Sequence, residues 1–576
     1  MRLPGLLLIL LVVSTPVFAQ GGGPQERPGA GAAGRGQRPQ RAQPPRVEAP
    51  RGTSIMRGQI VAADNGAPIR RAQVRIAAPD ARESRVATTD AQGRFEFKEL
   101  PAGRYSITGS KAGFVTLQYG QRRPSESGTP IELGDGQTLE KIAIALPRGS
   151  VLGGRITDEY GEPVANAAVI AWRYAYAGGA RRLTPAGQNS RDSTDDQGQY
   201  RLFGLPPGEY YVSASLRSGP EVTDTLGEVS GYASTYYPGT SNVAEAARVT
   251  LAVSQENTSV NFGLTVTRLV RVSGLVLMSD GAPANNGTVM LVPVAATGRP
   301  GVAMQQGGAG NRIEPGGGFR MANVAPGRYQ VQARTGGARD VEFSKMELTV
   351  GNEDVAGLTM VTAPGAVVTG TIISDTGEPF DFKPQQIQIG ARLASAETSA
   401  PGAMQATRPG DDWSFAVRNI TEPVLIRVTT TPPGWTLKSV SASGQDITDT
   451  PMEFPQGQAI TGLQIVLTKK VSSLSGLVTD ANGNPVLDAT VVAFPGDEKL
   501  WTSQSRFIKA SRPDQEGRYR INALPGGDYL IVALQSLEDG QAGDPDFLAA
   551  IKALGTEVAI ADGESKAIDA KLSVVK

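Results

Sequence analysis

A chain of 576 residues, with 70 Gly and 40 Pro scattered through alternating apolar segments, is too long for one core and is expected to hold several small all-β units. Lys plus Arg equals Asp plus Glu at 56 each, so no basic surplus points to nucleic acid as a partner. Cysteine and histidine are both absent, which excludes disulfides, thiolate chemistry, His-ligated zinc and Ser-His-Asp or Cys-His nucleophiles, leaving only carboxylate, Lys, Tyr or Ser-Lys chemistry.

Arg2, the apolar run Leu6 to Val13 and then Val17-Phe18-Ala19 read as a basic start, a hydrophobic stretch and a small-residue cleavage site. That order predicts a secretory signal peptide over 1–19, cut after Ala19. The run is too short to span a bilayer, and no later stretch approaches the roughly 20 apolar residues required, so no transmembrane segment is expected after cleavage. Residues 20–52 are rich in Gly, Pro, Gln and Arg and nearly lack large apolar side chains. Such a tract cannot offset its ordering entropy and is expected to be a disordered, solvated linker. Its arginines outnumber Glu26 and Glu48, which suits weak attraction to an anionic envelope surface or polysaccharide.

From there one unit is written about five times. Its clearest copy runs from Gly154 to Ser215. A strand around Ile156 enters the turn Asp158-Glu159-Tyr160-Gly161-Glu162-Pro163, and a second strand runs from Val169 to Trp172. Asp195-Asp196-Gln197-Gly198 then offers a hairpin turn with Gly where positive φ is needed. Tyr200 and Leu202 alternate with Arg201, and Pro206-Pro207-Gly208 turns the chain into Tyr210, Val212 and Ala214. The opening glycine recurs at Gly58, Gly154, Gly274, Gly370 and Gly476, spaced 96, 120, 96 and 106 residues apart, which fits one small sandwich per copy. The copies are expected over 53–148, 149–267, 268–364, 365–469 and 470–576. The fourth diverges, with Trp413 where Gly is expected and Glu422-Pro423-Val424 in place of the Pro-Gly turn. Only a few residues separate each closing strand from the next opening strand, which predicts an elongated string with restricted bending. One helix is predicted: Asp544 as N-cap, Pro545 in the first position, Leu548, Ile551 and Leu554 on one side, Gly555 as stop.

The repeated Gly-x-[Ile/Val] with Asp-x-x-Gly-x-Pro, then Asp-x-x-Gly-x-[Phe/Tyr], then Leu-Pro-x-Gly-x-Tyr resembles the carboxypeptidase regulatory-like domain. The resemblance implies a tandem array of seven-stranded, transthyretin-like β-sandwiches, from a wider set with a carbohydrate-binding-like fold. In metallocarboxypeptidases that domain accompanies a zinc catalytic domain; elsewhere it occurs in bacterial envelope proteins and beside outer-membrane receptors. The motif names turn positions and therefore speaks for fold, not activity.

The most conspicuous local feature is Trp172, Tyr174 and Tyr176 at every second residue of one strand. They share a face, as a core stripe or as a stacking platform for sugar rings; Ile170 continues the stripe and argues for core at its start. Tyr232, Tyr236 and Tyr237 follow in a Gly/Ser/Pro setting where tyrosines often sit exposed. Core packing is the simpler account and a carbohydrate-binding surface the sharper one. Asp192, Asp195 and Asp196 lack the spacing of a calcium loop and read as turn residues. No cofactor or metal is expected, and a glycosidase would need two opposed carboxylates in a cleft. The chain is thus expected to be a non-catalytic, exported envelope scaffold or spacer. Polysaccharide or other envelope proteins are the expected partners, and carbohydrate recognition by the second copy is the alternative.

Overall fold

In the computed structural model, which describes residues 52–78, 83–187, 189–216, 222–223, 229–294, 312–337, 341–394 and 406–573, the opening strand of every repeat is paired on both sides. The leader expected over 1–19 and, but for Gly52, the linker expected over 20–52 lie outside the described residues. In the first repeat Ser54–Ala62 runs antiparallel to Arg94–Leu100 and parallel to the closing strand Thr138–Leu146. Ser150–Thr157, Val270–Leu277, Ala366–Ser374 and Ser472–Thr479 are flanked in the same way. The opening glycine is what admits the parallel partner. A Cβ on Gly58 would stand 2.2 Å from the Ile142 carbonyl oxygen, and on Gly154, Gly274, Gly370 and Gly476 it would stand 2.0, 2.1, 2.0 and 1.8 Å from the corresponding oxygen.

A second layer of strands faces the first, a separate sheet in the first four repeats and, in the fifth, joined to it through Ala570–Ser573. The strand after the opening turn pairs antiparallel with the strand after the Pro-Gly turn: Gln73–Ala78 with Gly103–Ser110, Ala168–Ala177 with Gly208–Ser215, and Thr490–Pro495 with Gly527–Leu534. The inner faces close a separate core in each repeat, running from Met56 to Leu146, Leu152 to Leu264, Val270 to Met360, Ala366 to Leu467 and Leu474 to Ala570. Among the described residues the third and fourth repeats have seven strands and the first has eight, the extra one being the short Leu117–Gln118 or Ile131–Leu133 at its sheet edge.

The repeated turn residues do identifiable work. Asp90, Asp195 and Asp514 each accept two backbone N–H groups of their own turn, at 2.8–3.0 Å. The glycine that follows has φ of +71°, +72° or +81°, and its carbonyl accepts an N–H from the opening strand at 2.8–3.0 Å. In the fourth repeat Trp413 takes the same role at φ +63°, accepting the Ile372 N–H at 3.1 Å. Its strained backbone is offset by ring contacts with Phe380 at 4.1 Å and Phe382 at 5.5 Å. The tyrosine after each Pro-Gly turn is buried and bonds back to a carbonyl four residues upstream: Tyr105 to Pro101, Tyr329 to Ala325 and Tyr529 to Pro525 at 2.7–2.8 Å, and Tyr210 to Pro206. Burial lifts the phenols of Tyr105, Tyr210 and Tyr329 to about 12.

The predicted helix forms as Pro545–Ile551, with Asp544 Oδ1 accepting the Asp546 N–H at 3.0 Å and Leu548 and Ile551 buried. Leu554 does not join them: it ends a 3-10 turn and is 40% exposed. Helix and Trp501 cover the outer face of the fifth repeat's second sheet and give that repeat a second small core.

The elongated-string expectation fails at this repeat, which packs against the first and second. Arg104 donates to Ser511 Oγ at 3.1 Å and to the carbonyls of Arg512 and Arg520 at 3.0 and 3.2 Å. The Gln515 amide exchanges two hydrogen bonds with the Glu132 backbone at 3.2 and 3.1 Å, and Ser127 Oγ donates to Asp539 at 2.6 Å. Short connections orient each repeat on its neighbour, but they do not prevent distant repeats from meeting. The contacts that join them are polar surface groups with no periodic signal.

Candidate functional site

The strand Ala168–Ala177 presents two unlike faces. Val169 and Ala171 belong to the second repeat's core, whereas Ile170, Trp172, Tyr174 and Tyr176 lie on the opposite face, so the expected core placement of this stripe is reversed. Trp172 is nonetheless buried, with Nε1 donating to Ser213 Oγ at 2.8 Å. Pairing of Ser213 with Tyr236 brings Tyr236 onto this outer face, half-buried, and burial raises its phenol above the ordinary range. Tyr237 turns the other way and packs on the core edge to face with Phe262, centroids 6.0 Å apart. Tyr232 is held elsewhere, its hydroxyl donating to Glu159 at 2.6 Å. The six aromatic residues therefore separate into an outer-face set of four and two, Tyr232 and Tyr237, that pack against the core, Tyr232 with its hydroxyl at the opening turn.

Beyond Trp172 the outer face opens. Tyr174 is 44% exposed and meets Tyr211 edge to face at 5.8 Å and 86°, while the Arg181 guanidinium lies over its ring at 5.5 Å. Tyr176 is half-buried and pairs with Arg181 across the strands. These groups line a cleft of about 340 Å³ that also takes Glu209 from the second repeat, Pro124 and Ser125 from the first, and Glu538 and Asp539 from the fifth. Glu209 is bonded to Arg248 at 3.1 Å. Aromatic rings, phenol hydroxyls, a guanidinium and carboxylates in one cleft suit a ligand with both an apolar ring face and hydroxyl edges.

Sequence reasoning missed Tyr211, Arg181 and Glu209, although Tyr211 had a readable signal: next to the core residue Tyr210, it must face outward. Ser125, Glu538 and Asp539 had none, since only the return of the fifth repeat delivers them. Among the described residues no group of three or more acidic side chains is placed to hold a metal ion. Every carboxyl with a resolved shift among them moves downward; the Arg94 backbone N–H is the main cause for Asp90, and the Asn484 side chain for Asp480.

Comparison with known proteins bears on the first repeat directly. Residues 55–147 match the family model of the carboxypeptidase regulatory-like domain. The carboxypeptidase regulatory-like repeat thus carries the opening glycine, the Asp-x-x-Gly turn and the back-bonded tyrosine, devices that the other repeats share in whole or in part. Among solved structures, the chain is similar to a streptococcal ancillary pilin, at 14% identity over 54% of this chain and 98% of the pilin, with a TM-score of 0.20. It is similar also to GBS52, the minor pilin of Streptococcus agalactiae, at 15% identity over 37% and 95% of the two chains and a TM-score of 0.22. The RrgB pilus protein of Streptococcus pneumoniae aligns at 11% identity over 67% and 90%, with a TM-score of 0.15. The chain is a multi-domain β-sandwich protein, and among its described residues no helix is long and apolar enough to cross a membrane.

Proposed function

We propose that this chain is a non-catalytic interaction scaffold, exported to the cell envelope, that binds saccharide in the aromatic cleft of its second repeat. The observation that carries the reading is the exposed Tyr174 ring, set against Tyr211 and Arg181 at a junction of three repeats. Tyr174, Tyr176 and Tyr211 together give the cleft an aromatic wall beside the Arg181 guanidinium, a mix of apolar rings and polar groups that a saccharide can occupy. Contacts between the fifth repeat and the first two fit a scaffold of set geometry better than a passive spacer. Export rests on the leader expected over 1–19, and is tested by whether the mature protein begins at Gln20.

The binding test is a glycan array with wild type, Tyr174→Ala and Tyr211→Ala. Wild type is expected to retain a subset of polysaccharides and both variants to lose about tenfold or more, with unchanged circular dichroism. Retention of nothing by the wild type discards the reading.

A further inference from the structure

On the far side of Glu538 and Asp539 lies a second cleft, of about 390 Å³, between the first and fifth repeats. The two clefts share those two residues in their walls, so they adjoin across one short ridge. Their chemistry differs. The first is aromatic; the second is lined by four cationic side chains, Arg104, Lys509, Arg512 and Arg520.

Two of the four have acidic neighbours outside the ridge: Arg512 Nη2 meets Asp488 at 2.6 Å, and Arg104 Nε lies 3.7 Å from Glu132. Lys509 and Arg520 have no carboxylate partner among the described residues. Lys509 Nζ donates to the carbonyls of Asn522 and Ala523, both at 2.7 Å, which engages two of its three N–H groups. Arg520 Nε donates to Asn522 Oδ1 at 3.1 Å, with the side chain exposed. On the ridge, Asp539 is occupied by Ser127 Oγ at 2.6 Å, and Glu538 is an acceptor suited to a hydroxyl. Burial first, and then Arg506, brings the Lys509 ammonium down to about 8, as expected of a cation lacking a counter-charge.

We infer that the two clefts are adjoining subsites for a linear acidic glycan: a sugar ring packs on Tyr174 and Tyr211, and the carboxylate of a nearby ring is received by Lys509 and Arg520. The inference rests on the saccharide reading of the aromatic cleft and adds the class of polymer to it. Neutral chains satisfy the first cleft but leave the two cations of the second unpaired. Acidic chains satisfy both.

The test measures binding of oligogalacturonate, oligoalginate and hyaluronan fragments, each beside its carboxyl methyl ester, with dextran sulfate as a sulfate-bearing arm. At least one acid chain is expected to bind wild type about tenfold or more tightly than its own ester. Lys509→Gln with Arg520→Gln should abolish that preference, and Tyr174→Ala should weaken both forms. Because Lys509 also holds two carbonyls, Arg520→Gln alone, at an exposed position, serves as the second variant and should reduce the preference. Equal binding of acid and ester, or a preference that survives the double variant, overturns the acidic assignment while leaving the saccharide cleft standing. Binding of dextran sulfate and of no carboxylate chain also overturns it. Failure of every acid and every ester to bind, or indifference of both forms to Tyr174→Ala, removes the saccharide reading itself and this inference with it.

Discussion

Arg104→Ala is the most direct probe of how the fifth repeat is held. The side chain donates three hydrogen bonds across the interface, to Ser511 Oγ and to the Arg512 and Arg520 carbonyls, at 3.0–3.2 Å. Partly solvated bonds of this kind contribute about 1 kcal/mol each, and the freed side chain recovers about 1 kcal/mol of rotamer entropy. The net loss is about 2 kcal/mol, a roughly 30-fold shift toward separation of the repeats. With no native cysteine, Val86→Cys in the first repeat and Leu487→Cys in the fifth, both exposed, give a clean label pair for distance measurement. In a urea titration the distance between labels should lengthen at lower denaturant in Arg104→Ala than in the parent, before the repeats themselves unfold. Arg94→Ala, whose partner Asp90 lies in its own turn, should leave the transition where it was. Coincident transitions in Arg104→Ala and the parent would refute the idea that these polar contacts hold the repeats together.

Four further outcomes are expected. Gly274→Ala, whose Cβ would stand 2.1 Å from the Leu358 oxygen, should destabilise the third repeat by about 3 kcal/mol, against about 1 kcal/mol for Gly281→Ala, which has φ +81° but open space; hydrogen exchange in that repeat resolves the two. Tyr329→Phe removes a buried 2.8 Å bond to the Ala325 carbonyl and should cost about 1 kcal/mol by the same measurement. Trp413→Gly relieves the φ +63° strain but loses the Phe380 and Phe382 contacts, for a net destabilisation of about 2 kcal/mol, read as a lower denaturation midpoint of the fourth repeat. Because Tyr105, Tyr210 and Tyr329 ionise near 12 when folded and near 10 when unfolded, their contribution is complete below pH 10 and is lost as pH rises toward 12; ultraviolet phenolate absorbance should show these groups titrating late, together with unfolding.

The candidate site was legible only in part. Trp172, Tyr174 and Tyr176 stood out by spacing, and a period of two correctly put them on one face. Which face became the core was decided by Val169 and Ala171, while Ile170, whose place in the aromatic stripe argued for an inward face, lies outside with it. In each repeat a residue at φ between +54° and +74° precedes the last apolar side chain of the strand after the Asp turn: Glu99, Gly204, Asn323, Asn419 and Ala523. Glutamate and alanine there gave no warning of the bulge, because tertiary pairing and not intrinsic preference selects that conformation.

The local chemistry of turns settled the β-sandwich unit from the chain alone. An aspartate that binds its own turn and a tyrosine that bonds back four residues are short-range requirements written in residue types, whereas the opening glycine recurs in the sequence but its parallel partner, some 84 residues on, is set by the fold. Three dimensions alone decided which repeats touch. Residues as far apart as Arg104 and Arg520 meet through surface hydrogen bonds that leave no periodic trace, and the clefts built at that meeting, with Tyr174 on one side and Lys509 on the other, exist only because it occurs.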